Sequence, residues 1–212
     1  MNKLIIRNEQ EKDYHVVEEA IREAFWNLYI PGCDEHYLVH IMRNSPDYIP
    51  ELTFLAEIDG RIVGSIFFTK SYVLDEMGMK HDTITFGPVS VLPELHNHGV
   101  GNTLIEHAKQ AAISLGYKAI LIYGYPNYYK TLGFHHAKEF RISDPDGKYP
   151  FAHMVLELYT GALSGISGKA FESSIYNIDE KMVLKYDTKF KPKEKMVTPS
   201  QKLFEETASK FL

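Results

Sequence analysis

A strand–turn–helix–strand unit near the middle of the chain restricts its fold more than any other feature. It begins with an apolar strand candidate at residues 83–92 and continues through a turn that contains Gly99 and Gly101. A helix follows, because apolar residues recur every three or four positions over 100–115. The unit ends in an apolar run at residues 119–123, which is typical of a strand buried on both faces. The chain must therefore pack a helix against a sheet.

The same periodicities predict the other elements of the main domain. Asp59-Gly60, between two apolar runs, is typical of a tight hairpin turn. Further strands are predicted at 4–7, 53–58, 61–72, 134–140 and 151–159, and further helices at 11–27, 35–43 and 128–132. The order β-α-α-β-β-β-α-β-α-β-β predicts a mixed sheet with helices on both sides.

The sequence changes character after Tyr159, where glycines become frequent and the periodicity fades. Lysines alternate over residues 189–195, which we interpret as a solvated linker. Thr198-Pro199 is typical of a helix start and predicts a terminal helix with Leu203, Phe204 and Phe211. We predict a main domain at 1–160 and an extension at 161–212. The extension is expected to pack on the main domain or on a partner subunit, which leaves a homodimer open.

Composition excludes several classes of protein. The chain has 212 residues, a formal net charge of −5 and a single cysteine, Cys33. An acidic balance provides no overall basic field for a nucleic acid, and one cysteine forms neither an intramolecular disulfide nor a multi-cysteine zinc site. The N-terminus lacks the apolar stretch of a signal peptide, and no run is long enough to span a bilayer. We expect a cytoplasmic protein without nucleic-acid or membrane partners.

The glycine turn has a specific chemical use. Gly99 and Gly101 lie where a helix begins, and the first amides of a helix have no partner within it. Glycines let these amides approach a ligand, and the helix dipole favours an anion such as a pyrophosphate. Taken alone, the pattern is equally typical of a plain tight turn.

Two motifs around this turn resemble those of the GCN5-related N-acetyltransferases, the GNAT family. The family's pyrophosphate loop, [QR]-x-x-G-x-[GA], corresponds to the segment from His96 to Gly101, with His96 in place of glutamine or arginine. An aromatic-Tyr-x-x-x-Gly-Phe element corresponds to the segment from Tyr128 to Phe134. The glycine-rich segment 161–168 is similar to that of a subgroup of predicted acetyltransferases with a Tyr-Tyr motif and a C-terminal extension.

The resemblance implies an α+β fold with a central mixed, mostly antiparallel sheet flanked by helices on both faces. It also implies transfer of the acetyl group of acetyl-CoA directly to a primary amine of a small molecule or peptide, without a metal. The residues expected to bind the co-substrate are Val89, Val91, His96, His98, Gly99, Val100, Gly101, Asn102 and Thr103. If His96 and His98 contact the phosphates, their protonation should strengthen binding at low pH; exposed loop histidines without effect are the alternative.

Tyr129 is the residue that the resemblance places as general acid, because family members carry a tyrosine four residues before the glycine of this motif. A protonated phenol can donate to the departing thiolate. The alternative is a packing role for Tyr129, as we expect for Tyr128. The general base stays open among Glu94, Asp34, Glu35, His36 and a water.

Three other functions are alternatives to direct acetyl transfer. One is a non-catalytic acyl-CoA-binding module of the same fold, which the lack of an evident base leaves open. Another is covalent catalysis by Cys33, which direct transfer does not need. The last is a metal site formed by the paired histidines His96, His98, His135 and His136, whose spacing does not define a tetrahedral ligand set.

Overall fold

The computed structural model describes residues 3–212, in which nine strands form one sheet. The strands are β1 (Leu4–Asn8), β2 (Phe54–Ile58), β3 (Arg61–Leu74), β4 (Lys80–Val91), β5 (Ala119–Tyr123), β6 (His135–His136), β7 (Ile142–Ser143), β8 (His153–Glu157) and β9 (Gly168–Phe171). Their order is β1-β2-β3-β4-β5-β8-β6, while β9 pairs with β3 and β7. Among these strand pairs, β4–β5 and β7–β9 are parallel and the others antiparallel. The sheet is therefore mixed and mostly antiparallel, as predicted.

Helices cover both faces of the sheet. They are α1 (Tyr14–Phe25), α2 (Glu35–Met42), α3 (Val100–Ser114), α4 (Pro126–Tyr129), α5 (Glu180–Asp187) and α6 (Pro199–Ala208). Side chains of β2 alternate between the faces, so Phe54 packs in the core beside α3 and Leu55 in the core beneath α1 and α2. Helices on both faces are thus confirmed.

The apolar run of β5 has the double burial that its sequence predicts. Ile120 and Ile122 pack in the core beside α3, whereas Ala119 and Leu121 pack on the opposite face against Leu163 and other residues. All four are at most 2% exposed. Strand β5 is therefore buried on both faces of the sheet, directly next to β4.

Several predicted boundaries are wrong. The strand expected at 134–140 is limited to β6, because the Glu139 carboxylate accepts a hydrogen bond from the His136 N–H at 3.2 Å and starts a 3-10 turn there. The short helix expected at 128–132 begins earlier, at Pro126. Phe211 lies beyond the end of α6 and forms an isolated bridge with Pro150 instead.

Residues 161–212 contact the main domain at several places. Strand β9 joins the sheet beside β3, and the Ser173 hydroxyl donates to the Asp47 carboxylate at 2.7 Å. On α5, Asp187 forms an ion pair with the buried Arg22 of α1 at 2.7 Å. No helix within residues 3–212 has the length and apolar character needed to cross a bilayer.

Candidate active site

The sheet opens between β4 and β5. The two strands pair at two successive positions, the second being Thr85 with Leu121, although both strands continue beyond it. On the other side of β4, the register shifts so that Gly87 and Pro88 together oppose Phe67 of β3. Bulges of this kind bend a strand and are frequent next to active sites. Two cavities lie along the diverging part of β4.

The first, which we call the glycine cavity, has a volume of about 460 Å³ and lies between the end of β4, the glycine turn and Tyr128. Six of the predicted co-substrate residues line it: Val91, His96, Gly99, Val100, Gly101 and Asn102. His98, Thr103 and Val89 do not. The Thr103 hydroxyl donates within the helix to the Gly99 carbonyl at 3.0 Å, and Val89 lines the second cavity.

The start of α3 has the geometry that an anion site needs. Gly99 takes the left-handed conformation, with φ of 81°, and no side chain caps the helix at this position. A Cβ added to Gly99 would meet no atom within 4 Å. The first amides of α3 are therefore open to a ligand in the glycine cavity, where the helix dipole favours negative charge.

The two histidines of the turn bond to its own backbone. A ring nitrogen of His96 lies 3.0 Å from the Val91 carbonyl oxygen, and a ring nitrogen of His98 lies 2.8 Å from the His96 carbonyl oxygen. Both rings thus stabilise the turn. That they also contact the phosphates of the co-substrate stays a prediction.

Tyr128 is a site residue that sequence reasoning missed. Its hydroxyl donates to the Asn102 side-chain oxygen at 2.7 Å, which joins the turn after β5 to the first turn of α3. Our expectation of a packing role was based on its neighbour being the motif tyrosine, and no feature of the sequence indicates the contact across 26 residues.

The second cavity, which we call the carboxylate cavity, has a volume of about 360 Å³. It contains Asp34 and Glu35 from the start of α2 together with Tyr129. Half of the remaining wall is aromatic and comes from α1, the α1–α2 loop, β4, β5 and the C-terminal residues: Phe25, Tyr29, Phe86, Tyr123, Tyr176 and Phe204. Two acidic side chains within an aromatic wall favour a cationic ligand.

The carboxylates of Asp34 and Glu35 influence each other. Burial raises the pKa of both groups, and their mutual charge repulsion raises that of Glu35 further. The Glu35 carboxylate also accepts a hydrogen bond from the Asp34 backbone N–H at 3.2 Å. The pair retains a proton at a higher pH than an isolated carboxyl would. A carboxylate with raised basicity is suited to accept a proton near neutral pH.

Tyr129 is held within a group of aromatic rings. Its ring centroid lies 5.9 Å from Phe86, 4.9 Å from Tyr128 and 5.4 Å from Phe134. Burial raises the pKa of its phenol above the usual range, so the hydroxyl keeps its proton and can donate. Gly124 makes room for the ring, since a Cβ there would lie 2.2 Å from its Cε2 atom.

The other candidate bases and the nucleophile lie elsewhere. Glu94 is on the surface, where its carboxylate accepts a hydrogen bond from Arg61 at 2.8 Å. His36 is fully buried, with Nδ1 3.4 Å from the Cys33 sulfur and Nε2 3.3 Å from Asp187. Burial raises the pKa of the Cys33 thiol, which disfavours a reactive thiolate.

The four paired histidines do not converge. The side chains of His96 and His98 bond to the turn, His135 lies 3.3 Å from Glu139, and His136 is buried against Phe151. Within the described part of the chain, no three His, Cys, Asp or Glu side chains come together as a metal site would require.

Comparison with known proteins agrees with this geometry. A model of the acetyltransferase (GNAT) family matches residues 18–138. YjhQ, an uncharacterized N-acetyltransferase of Escherichia coli K12, is 33% identical over 85 residues, which are 40% of this chain and 46% of that protein. YhcX of Bacillus subtilis, named a probable hydrolase, is 28% identical over 149 residues, 60% of this chain and 27% of that protein. The matches thus span less than half of each curated relative.

Solved structures share the fold. YhbS from Escherichia coli, a GNAT family N-acetyltransferase in complex with CoA, superposes with a TM-score of 0.73 at 22% identity and covers 84% of this chain and 94% of that one. A GNAT acetyltransferase from Brucella melitensis in complex with acetyl-CoA gives 0.66 at 21% identity, with 83% and 99% covered. With the family model matching more than half of its residues, this chain belongs to the GNAT family of acetyltransferases.

Proposed function

We propose that this chain transfers the acetyl group of acetyl-CoA directly to a primary amine, which binds in the carboxylate cavity. The observation that carries the proposal is the placement of Asp34, Glu35 and Tyr129 around one cavity. A proton acceptor and a proton donor thereby flank the same space. That space lies along β4, whose end at Val91 leads into the glycine cavity.

The co-substrate would bind with its pyrophosphate at the start of α3. The uncapped helix terminus and the open space at Gly99 support this assignment. Tyr128 and Asn102 line the same cavity, and their hydrogen bond holds the two side chains together there. The acetyl-CoA and CoA held by the two structural relatives named above are consistent with this use.

The amine must lose a proton before it can attack. A lysine-like ammonium has a pKa of about 10.4, so forming the neutral amine near pH 7.4 requires about 4 kcal/mol. The Asp34–Glu35 pair would accept this proton, since its raised pKa makes it a stronger base than an ordinary carboxylate.

Acyl transfer then forms the amide bond and breaks the thioester C–S bond. The amine nitrogen attacks the carbonyl carbon while backbone N–H groups near Val89 and Val91 stabilise the negative charge on the carbonyl oxygen. This part of β4 extends beyond its pairing with β5, which supports the assignment. The departing thiolate receives a proton, or a hydrogen bond, from the Tyr129 hydroxyl.

An assay of free-thiol release tests the proposal. The protein is incubated with acetyl-CoA and each of a panel of polyamines, amino acids, aminoglycosides and peptides, and the release of free thiol is followed. We expect release that depends on at least one amine. If CoA binds tightly but no amine produces thiol, the chain is an acyl-CoA-binding module and the proposal is wrong.

A further inference from the structure

The C-terminal residues supply part of the wall of the carboxylate cavity. Tyr176, Ile178 and Phe204 line it, although none of them belongs to the motifs of the main domain. The ring of Phe204, on α6, lies 4.7 Å from the ring of Tyr29, centroid to centroid. The two side chains are 41% and 38% exposed, so this aromatic pair stands where the cavity meets solvent.

Helix α6 is fixed to the loop that carries Tyr29. The hydroxyls of Thr198 and Ser200 donate to the carbonyls of Asn27 and Leu28, each at 2.8 Å. The buried Gln201 amide donates to the Asn27 carbonyl at 3.1 Å. Because hydrogen bonds at its first turn hold the helix, Phe204 keeps a defined position relative to Tyr29.

The Asn27 side chain adds further hydrogen bonds to this attachment. Its Oδ1 atom accepts hydrogen bonds from the amides of Gly32 and Met196 at 2.8 and 3.0 Å, and its Nδ2 donates to the Glu194 carbonyl at 3.1 Å. One buried side chain therefore links the α1–α2 loop, which leads to the Asp34–Glu35 pair, with the segment before α6.

We propose that Phe204, together with Tyr29, is a specificity-determining residue that restricts the acceptor to small primary amines on a slender apolar chain. The cavity volume, about 360 Å³, is near the lower end of ligand pockets and suits a small molecule. The aromatic pair lines the cavity where it meets solvent, so the chain of a bound amine would pass beside these two rings. The inference depends on the proposed function, since it assigns the acceptor of the same site.

Two acceptors of different width test the inference. We compare kcat/KM for hexylamine, which is linear, with that for cyclohexylmethylamine, which is broader. Phe204→Ala should raise the ratio of kcat/KM for the broad amine to kcat/KM for the linear amine by about tenfold, the usual size of a steric preference in an apolar pocket. Phe204→Trp should lower it. The affinity for acetyl-CoA should stay within about twofold of wild type, because Phe204 does not line the glycine cavity.

Leu203→Ala is the matched control. Leu203 is the preceding residue of α6, is 50% exposed and does not line the cavity, so its removal should leave the ratio unchanged. A ratio within twofold of wild type in both Phe204 variants overturns the inference, and the Trp variant decides alone if the Ala variant does not fold. If the wild-type protein acetylates amines of the panel but neither of these two acceptors, the inference is wrong and the proposed function stands. If it acetylates no amine, both fail.

Discussion

At the scale of single residues, Tyr129 shows how a side chain acquires a chemical role from its surroundings. Phe86 and Phe134 contact its ring, Gly124 leaves space for it, and burial keeps its phenol protonated. A solvated tyrosine at the same position of the motif would provide a hydroxyl but no fixed direction for donation.

Tyr129→Phe removes this hydroxyl and keeps the packing of the ring. We expect kcat to fall at least about tenfold, since a positioned acid contributes that much or more, while the KM for acetyl-CoA changes little. Steady-state kinetics measures both. Tyr125→Phe is the control, because Tyr125 is exposed and lines neither cavity. A variant with the kcat of the wild type would remove Tyr129 from the mechanism.

Glu35 permits a test by pH and stability. Since burial raises the pKa of Glu35 in the folded state, its ionisation favours unfolding. This cost in folding free energy grows as pH rises from the unfolded pKa of about 4.3 to the folded one. Glu35→Gln removes the cost. The melting temperature of this variant, relative to wild type, should therefore increase with pH over that interval and then stay constant.

Glu94→Gln provides the opposite case. Hydrogen bonds from its own backbone amide and from Arg61 lower the pKa of Glu94. The melting temperature of this variant should thus show no gain with rising pH. A gain for Glu35→Gln that is constant or shrinks as pH rises would contradict a raised pKa at Glu35.

The sequence indicated some site residues and not others for a physical reason. Gly99 and Tyr129 belong to local patterns with a fixed spacing, so they are visible along the chain. The proximity of Asp34 and Glu35 to Tyr129 arises from tertiary packing, so the base stayed open among several groups. Tyr128 and Phe204 contact partners that are remote in sequence, which no periodicity encodes.

At the scale of elements, helix α3 has a glycine at each end, and the two glycines have different surroundings. Gly99 precedes the helix and Gly116 follows it, with φ of 81° and 82°, and neither has an atom within 4 Å of an added Cβ. The backbone demand is the same at both ends. The difference is that Gly99 lines the glycine cavity, where we expect the pyrophosphate.

Gly99→Ala and Gly116→Ala therefore form a matched pair. Each should destabilise the fold by about 1 kcal/mol, the cost of a left-handed alanine. We expect weaker binding of acetyl-CoA for Gly99→Ala alone, measured by isothermal titration calorimetry. Equal affinities in the two variants would argue against a pyrophosphate at the start of α3.

Elements with strong periodicity were predictable, and short ones were not. The regular apolar spacing of α3 and the continuous run of β5 fixed both to within a residue or two. Strands β6, β7 and β9 have two to four residues each, and they exist because neighbouring strands pair with them. A pattern of two residues carries no period.

At the scale of the whole molecule, the chain after residue 160 completes the carboxylate cavity. The domain boundary predicted there stays a prediction, yet β9 lies in the sheet and Phe204 lies at the cavity edge. The glycine-rich sequence indicated a change of character without indicating where the segment would pack. Its last helix, α6, is attached by hydrogen bonds to backbone carbonyls of the α1–α2 loop, which side-chain patterns do not show.

Asn27→Gly tests this attachment while preserving the backbone. Asn27 has φ of 61°, which glycine tolerates, so the variant loses the three side-chain hydrogen bonds without strain. We expect faster amide hydrogen exchange in residues 199–208 and a higher KM for the amine, with unchanged affinity for acetyl-CoA. Arg141→Gly, at φ of 55° and outside both cavities, should change neither.

The central claim is direct acetyl transfer between the two cavities, and the amide product tests it most directly. The wild-type protein is incubated with acetyl-CoA and each amine of the panel, and mass spectrometry counts acetylated amine while a thiol reagent counts free CoA. The account predicts one amide for each thiol released, at a rate that depends on the protein and falls in Tyr129→Phe. Thiol release without amide, or no release by a protein that binds acetyl-CoA, would contradict it.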